Sequence, residues 1–135
     1  MSGIRGKNTR NEVLLRKLLH RQGYRYRLHV RDLPGKPDIV FPRYRAVVFV
    51  HGCFWHGHDC PLFKIPATRS DFWRTKIEGN RANDKIVNEK LLAAGWRICI
   101  VWECAIRGAK TDMASVGSEV MKWLESNQTF REFKK

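Results

Sequence analysis

No stretch of this 135-residue chain approaches the ~20 consecutive apolar residues of a membrane-spanning helix. The segment Met1-Ser2-Gly3-Ile4-Arg5-Gly6-Lys7 lacks the apolar run of a signal peptide. Both absences lead to the expectation of a cytoplasmic protein. Acid is scarce, with 13 Asp plus Glu against 26 Lys plus Arg and a formal net charge of +13. A field so one-sided calls for a polyanionic partner, nucleic acid being the usual one; a basic membrane-surface protein is the competitor. Two zinc-enzyme signatures are missing, the His-Glu-x-x-His of metalloprotease helices and the paired Cys-x-x-Cys of nucleobase deaminases. No repeat, linker or low-complexity segment divides the chain, and 43% hydrophobic residues suffice for one folded domain. The expected organisation is a basic arm over residues 1–8 and a single domain over 9–135.

What the chain does have is concentrated in His51-Gly52-Cys53-Phe54-Trp55-His56-Gly57-His58-Asp59-Cys60. These ten residues hold three of the five histidines and two of the four cysteines. Cysteines in a reducing compartment are metal ligands before they are disulfides. Cys53, His58 and Cys60 can face one point if the chain turns at Gly52 and Gly57, and thiolate with imidazole favours tetrahedral zinc. Cys104, at the end of a strand, is the better fourth ligand; Cys99, among Ile98, Ile100 and Val101, reads as core. Such a Zn²⁺ site would stabilise the fold and take no part in chemistry. A chance cluster of buried cysteines and exposed histidines is the alternative.

Thr9-Arg10-Asn11-Glu12 has capping-box spacing, so a helix is expected to start there, with Leu14, Leu15, Leu18 and Leu19 as its apolar face, and to stop at Gly23. Tyr24 to Val30 alternates like a half-buried strand. Ile39-Val40-Phe41 and Ala46-Val47-Val48-Phe49-Val50 form a hairpin around Pro42-Arg43-Tyr44-Arg45. Two helical regions follow, one from Asp71 through Ile77 and one from about Asn83 to Ala94, ended by Gly95. Trp96 to Trp102 is the most strand-like run, and a last helix spans about Met113 to Ser126. Helix, three strands, helices, strand, helix is the order of an α/β domain with a mixed β-sheet flanked by helices.

Pro37-Asp38 before a hydrophobic hairpin strand is also how Mg²⁺-dependent nuclease sites of the Pro-Asp…(Asp/Glu)-x-Lys type open. There a carboxylate holds the ion against the scissile phosphate. The next strand here offers Phe49-Val50-His51, so the second acid is missing and His stands in place of Lys. Taken alone, Asp38 reads equally well as a loop Asp capping a turn. His51 precedes the proposed zinc ligands and His56 lies among them, and both are available for proton transfer; surface histidines with no role are the alternative. Glu12 could supply the missing carboxylate if its helix packs beside the hairpin. Phe54 and Trp55, and Trp73 beside Arg69 and Arg74, offer apolar rings on a basic platform, suited to wedging between base steps; a satellite hydrophobic cluster is the alternative.

Taken together, Leu33-Pro34-Gly35-Lys36-Pro37-Asp38, Phe49-Val50-His51-Gly52-Cys53-Phe54-Trp55-His56, Pro66-Ala67-Thr68-Arg69…Phe72-Trp73 and Val101-Trp102-Glu103-Cys104 resemble the Vsr-type very short patch repair endonucleases. The likeness runs in order from about residue 1 to 125. It implies a restriction-endonuclease-like fold with one structural zinc site, and a Mg²⁺-dependent nick 5′ to the T of a T·G mismatch left by deamination of 5-methylcytosine. By position, Asp38 and the backbone carbonyl of Val50 would hold Mg²⁺; Val50 replaces a hydroxyl residue found in some members. His56 would be the general base, His51 would reach the phosphate or the water around the metal, and Glu12 would assist them. Cys53, His58, Cys60 and Cys104 would bind zinc. Phe54, Trp55 and Trp73 would enter the base stack, and Met1 and Ile4 match an arm in the minor groove. The resemblance further implies a monomer acting on duplex DNA at the nucleoid, with a mismatch-repair matchmaker protein as a further partner. The rival readings are a zinc-stabilised DNA-binding module without cleavage, and a restriction or defence nuclease of other specificity.

Overall fold

The computed structural model describes residues 10–28, 30–52, 67–106 and 110–134. Its elements are α1 (Arg10–Arg21), β1 (Arg27–Leu28), β2 (Ile39–Phe41), β3 (Ala46–His51), α2 (Ser70–Ala93), β4 (Arg97–Trp102), α3 (Glu103–Ile106), α4 (Lys110–Leu124) and β5 (Phe130–Phe133). The strands form one sheet in the order β1-β2-β3-β4-β5. The β1–β2 and β2–β3 pairs are antiparallel, and the β3–β4 and β4–β5 pairs are parallel. The expected mixed sheet flanked by helices is therefore present.

Alternation along the strands divides the core into two layers. Ile39, Phe41, Val48, Cys99 and Val101 face α1 and α4, where Leu15, Leu19, Val116, Val120 and Trp123 cover them. Val40, Val47, Phe49, Ile98, Ile100 and Trp102 face the other way, toward Val87 and Leu91 of α2. Because both faces are covered, β3 and β4 read as continuous apolar runs.

Gly23 ends α1 as expected. At φ +97° it lets its own N–H reach the His20 carbonyl while the Tyr24 N–H reaches that of Leu19, a Schellman pair. Gly95, at φ +88°, closes α2 the same way through Leu92 and Leu91. The first cap also explains why the strand expected over 24–30 is reduced to Arg27–Leu28. The Tyr24 N–H is committed to the helix end, and the Tyr24 and Tyr26 rings turn edge-on to Phe41, at 6.4 and 5.9 Å between centroids.

The two helical regions expected over 71–94 are one continuous helix of 24 residues. Gly79 lies in its interior, but a single glycine costs about 1 kcal/mol. Ile77 on one side, with Val87 and Leu91 on the other, are buried and hold the helix together across it. β5 was not expected at all. Phe-Arg-Glu-Phe carries little strand pattern, and its place comes from pairing with β4 and from Arg97. That guanidinium stacks over Trp123 and donates to the carbonyls of Trp123, Leu124, Ser126 and Gln128 at the end of α4, and to Tyr44 in the hairpin turn. No helix among the described residues is long and apolar enough to cross a membrane.

Candidate active site

The site begins with a turn. The Lys36 N–H reaches the Leu33 carbonyl at 3.1 Å, and Gly35 in the third position has φ +75°, the Pro-Gly arrangement of a type II turn. A Cβ on Gly35 would lie 2.5 Å from Cγ1 of Val87, so this loop lies directly against α2. It delivers buried Pro37 and then Asp38 to the start of β2.

Asp38 closes the hairpin ladder with its side chain. Ile39 pairs with Val48, so continued register would set Pro37 opposite Val50. The ladder has ended by then, and the Val50 N–H instead donates to Oδ2 of Asp38 at 2.7 Å. The bond gives a part-buried N–H its partner and fixes the carboxylate beside the end of β3.

His51 is the next residue and the last of β3. It is 6% exposed and pairs in register with Trp102 of β4. Its imidazole lies beside two rings, Phe49 at 5.4 Å and Trp102 at 5.1 Å, the latter edge-on at 72°. Beyond it opens a cleft of ≈ 330 Å³ shared with Arg81, Asp84, Lys85 and Asn88 of α2. Trp73 lies eight residues before Arg81, about 12 Å along the helix. The first turns of α2 thus reach past the level of His51, carrying Trp73, exposed Phe72 and the Arg69 guanidinium 4.4 Å from the Phe72 ring.

Glu12 is 2% exposed in the first turn of α1, and Arg16 binds its carboxylate at 3.0 Å. At the far end of that helix, Tyr24 shares the Glu125 carboxylate with Tyr44 of the hairpin turn, both at 3.0 Å. The C-terminal end of α1 therefore sits at the hairpin turn. Glu12, about 10 Å further up the helix than Leu19, sits toward the end of β3 that carries Val50 and His51.

Cys104 is buried at the start of α3, two residues past Trp102 and on the α2 side of the sheet. Cys99 lies on the opposite side, wholly buried, and burial pushes its thiol up from the usual range. Cys99 is thus the core residue it was expected to be. Cys53, Phe54, Trp55, His56, His58 and Cys60 lie outside the described residues, as do Met1 and Ile4. Among the described residues no group of three or more His, Cys, Asp or Glu could hold a metal ion.

The family model for "DNA mismatch endonuclease Vsr" matches residues 1–62, a span that contains Glu12, Asp38, Val50 and His51. The chain is 56% identical over 106 residues to the type II nicking enzyme V.XorIIP of Xanthomonas oryzae, covering 78% of each. It is 49% identical over 108 residues to the DNA mismatch endonuclease Vsr of Escherichia coli, covering 80% of this chain and 69% of that protein. The type II nicking enzyme V.NmeAIP of Neisseria meningitidis is 45% identical over 107 residues, covering 79% and 76%. The chain belongs to the Vsr family.

In this Vsr-family chain, then, one end of the sheet gathers Asp38, Val50, His51 and Cys104, with Glu12 reaching toward it from α1. Sequence reasoning missed three neighbours of these residues. Arg16 stands four residues after Glu12, a helical spacing that announces the ion pair. Trp102 is legible as a strand end and part of a motif but not as a neighbour of His51, and Glu132, whose carboxylate accepts the Trp102 indole N–H, lies in the unforeseen strand β5. Nothing local in the chain links Glu132 to Trp102.

Proposed function

We propose that this protein nicks one strand of duplex DNA 5′ to the T of a T·G mismatch arising from 5-methylcytosine deamination. The observation that carries the reading is the Asp38–Val50 bond at 2.7 Å with His51 next in the chain, in a member of the Vsr family. The names of its relatives, nicking enzymes and a mismatch endonuclease, support single-strand cleavage. The mixed sheet, with Asp38 at one end of its hairpin, is read as the restriction-endonuclease-like arrangement.

The donors present suit a hard divalent cation. Asp38 offers a carboxylate, and both backbone groups of a strand residue face the same edge, which turns the Val50 carbonyl to the Asp38 side of β3. Mg²⁺ is content with one or two carboxylates and keeps much of its water. Asp38 and the Val50 carbonyl would hold it, and when bound it supplies positive charge against the phosphate. His56 takes the proton from the attacking water. The water oxygen bonds to phosphorus as the bond to the 3′ oxygen breaks, and that oxygen takes a proton from solvent water, leaving a 5′-phosphate and a 3′-hydroxyl. His51, held by its aromatic neighbours, orients the phosphate or the water beside it, and Glu12, steadied by Arg16, assists the histidines.

Zinc is assigned to Cys53, His58, Cys60 and Cys104. Soft thiolates with one imidazole suit it. Cys104 stands two residues past Trp102, and Cys53 two residues past His51, its partner in register. Phe54, Trp55 and Trp73 are assigned to the base stack, with Met1 and Ile4 in the minor groove. The excess of Lys and Arg holds the DNA, at the nucleoid, with a matchmaker protein as a further partner.

The test is whether the Zn²⁺-loaded protein, given Mg²⁺, converts a strand-labelled T·G duplex to nicked product. Cleavage confined to one strand supports the reading. Tight binding without cleavage would make the chain a DNA-binding module.

A further inference from the structure

We propose that Glu132 of β5, acting through Trp102, is a positioning residue for His51. The inference rests on the reading of His51 as part of the active site. Glu132 pairs with Ile100 across the parallel β4–β5 ladder, which puts its side chain on the α2 face and diagonal to Trp102. Its Oε2 accepts the indole Nε1–H of Trp102. Trp102 in turn pairs with His51 across β3–β4 and presents its ring edge-on to the imidazole, 5.1 Å away at 72°. Phe49, two residues earlier on β3, is a second ring neighbour at 5.4 Å. The chain of contact therefore runs from the edge strand through an indole to the imidazole, over three adjacent strands.

The physical need is plain. Trp102 is 8% exposed, and its one donor is best satisfied by a protein acceptor. A carboxylate gives that N–H a charge-assisted bond, which fixes the plane of the ring and with it the wall against which the imidazole stands. A reacting group held by packed neighbours keeps its geometry, whereas one with a loose wall loses it. Glu132 lies on β5, outside the motifs that carry the family resemblance.

Three variants and two readouts decide it. In single-turnover nicking of a T·G duplex, Glu132→Leu is expected to be slower by roughly 10- to 100-fold, the scale of small misplacements in an active site, with DNA affinity unchanged. Glu132→Gln keeps an oxygen acceptor for the indole and should stay within about three-fold of wild type. Trp102→Phe keeps a ring but loses the N–H donor, and should be slowed like Glu132→Leu. The His51 ring-proton resonances, shifted by the neighbouring indole, should move in Glu132→Leu and stay in Glu132→Gln. Unmoved resonances and a wild-type rate in Glu132→Leu would overturn the proposal, as would a loss shared equally by Glu132→Gln. Should Glu132→Leu fail to fold, a wild-type rate in Trp102→Phe would overturn it equally. A wild-type protein that nicks nothing refutes the proposed function, while the resonances still decide the positioning.

Discussion

The Asp38 carboxylate accepts the Val50 backbone N–H at 2.7 Å, just where the β2–β3 ladder runs out opposite Pro37. One side chain thus serves as the terminus of a hairpin and as the proposed metal ligand, and the two duties respond differently to substitution. Asp38→Asn keeps an oxygen to receive the Val50 N–H but loses the negative charge. It should fold with a melting temperature near that of wild type and lose nicking by more than roughly 100-fold, since a bound divalent ion contributes several kcal/mol. Asp38→Ala loses both, and should also cost about 1–3 kcal/mol for an unsatisfied N–H. Denaturant titration beside a nicking assay separates the two effects.

The loop that presents Asp38 depends on Gly35. Gly35→Ala must place a Cβ 2.5 Å from Val87 Cγ1, on a residue already at φ +75°. The expected loss is about 1–3 kcal/mol of stability, with slower nicking because Asp38 shifts. Adding Val87→Ala should relieve the collision and leave the backbone strain, roughly 1–2 kcal/mol. Val87→Ala alone loses core packing, so the four proteins form a cycle, and a double variant whose loss equals the sum of the two single losses would show that the contact with α2 is unimportant.

Cysteine substitution distinguishes the two sides of the sheet. Cys104→Ser should abolish stoichiometric zinc and destabilise the protein, because structural zinc contributes folding energy outright. Cys99→Ala, in the layer facing α1 and α4, should keep its zinc and lose only packing. Metal analysis of both purified proteins reads the difference directly.

Alkaline pH addresses the far end of the molecule. Burial, followed by the hydrogen bond to Glu125, pushes the Tyr24 phenol up from 10.0 to about 12. The folded state holds that proton more tightly than the unfolded state. Its contribution is therefore complete below the unfolded value near 10, and is lost as pH rises toward about 12. Tyr24→Phe should flatten the fall in stability across that window, measured by denaturant unfolding at successive pH values.

Much of this architecture is legible in the chain because it is locally written. β2, β3 and β4 are apolar runs long enough for buried strands, and Gly23 and Gly95 stop helices through positive φ, which glycine alone adopts at little cost. Cys99 and Cys104 separate by position, one amid a buried strand and one past its end. What was illegible is tertiary. Gly79 looks like a break until Ile77 and Val87 are seen buried on either side of it. Tyr24 looks like strand until its N–H is spent on the cap of α1. Glu132 and Trp102 stand 30 residues apart, and only the β4–β5 pairing brings them together. Asp38, His51 and Glu12 could be named from motif positions, but no spacing foretold that the Val50 N–H would hold the Asp38 carboxylate.

The most direct test of the account sets two duplexes side by side in a methyltransferase-site sequence, one with a T·G mismatch and one with T·A at the same position. Zinc-loaded protein and Mg²⁺ are added to each, and the cleavage position is mapped on both labelled strands. The expected result is a single nick 5′ of the mismatched T, ending in a 5′-phosphate, and an intact T·A duplex. Equal cutting of the T·A duplex would contradict it, leaving a nuclease with no claim to mismatch repair.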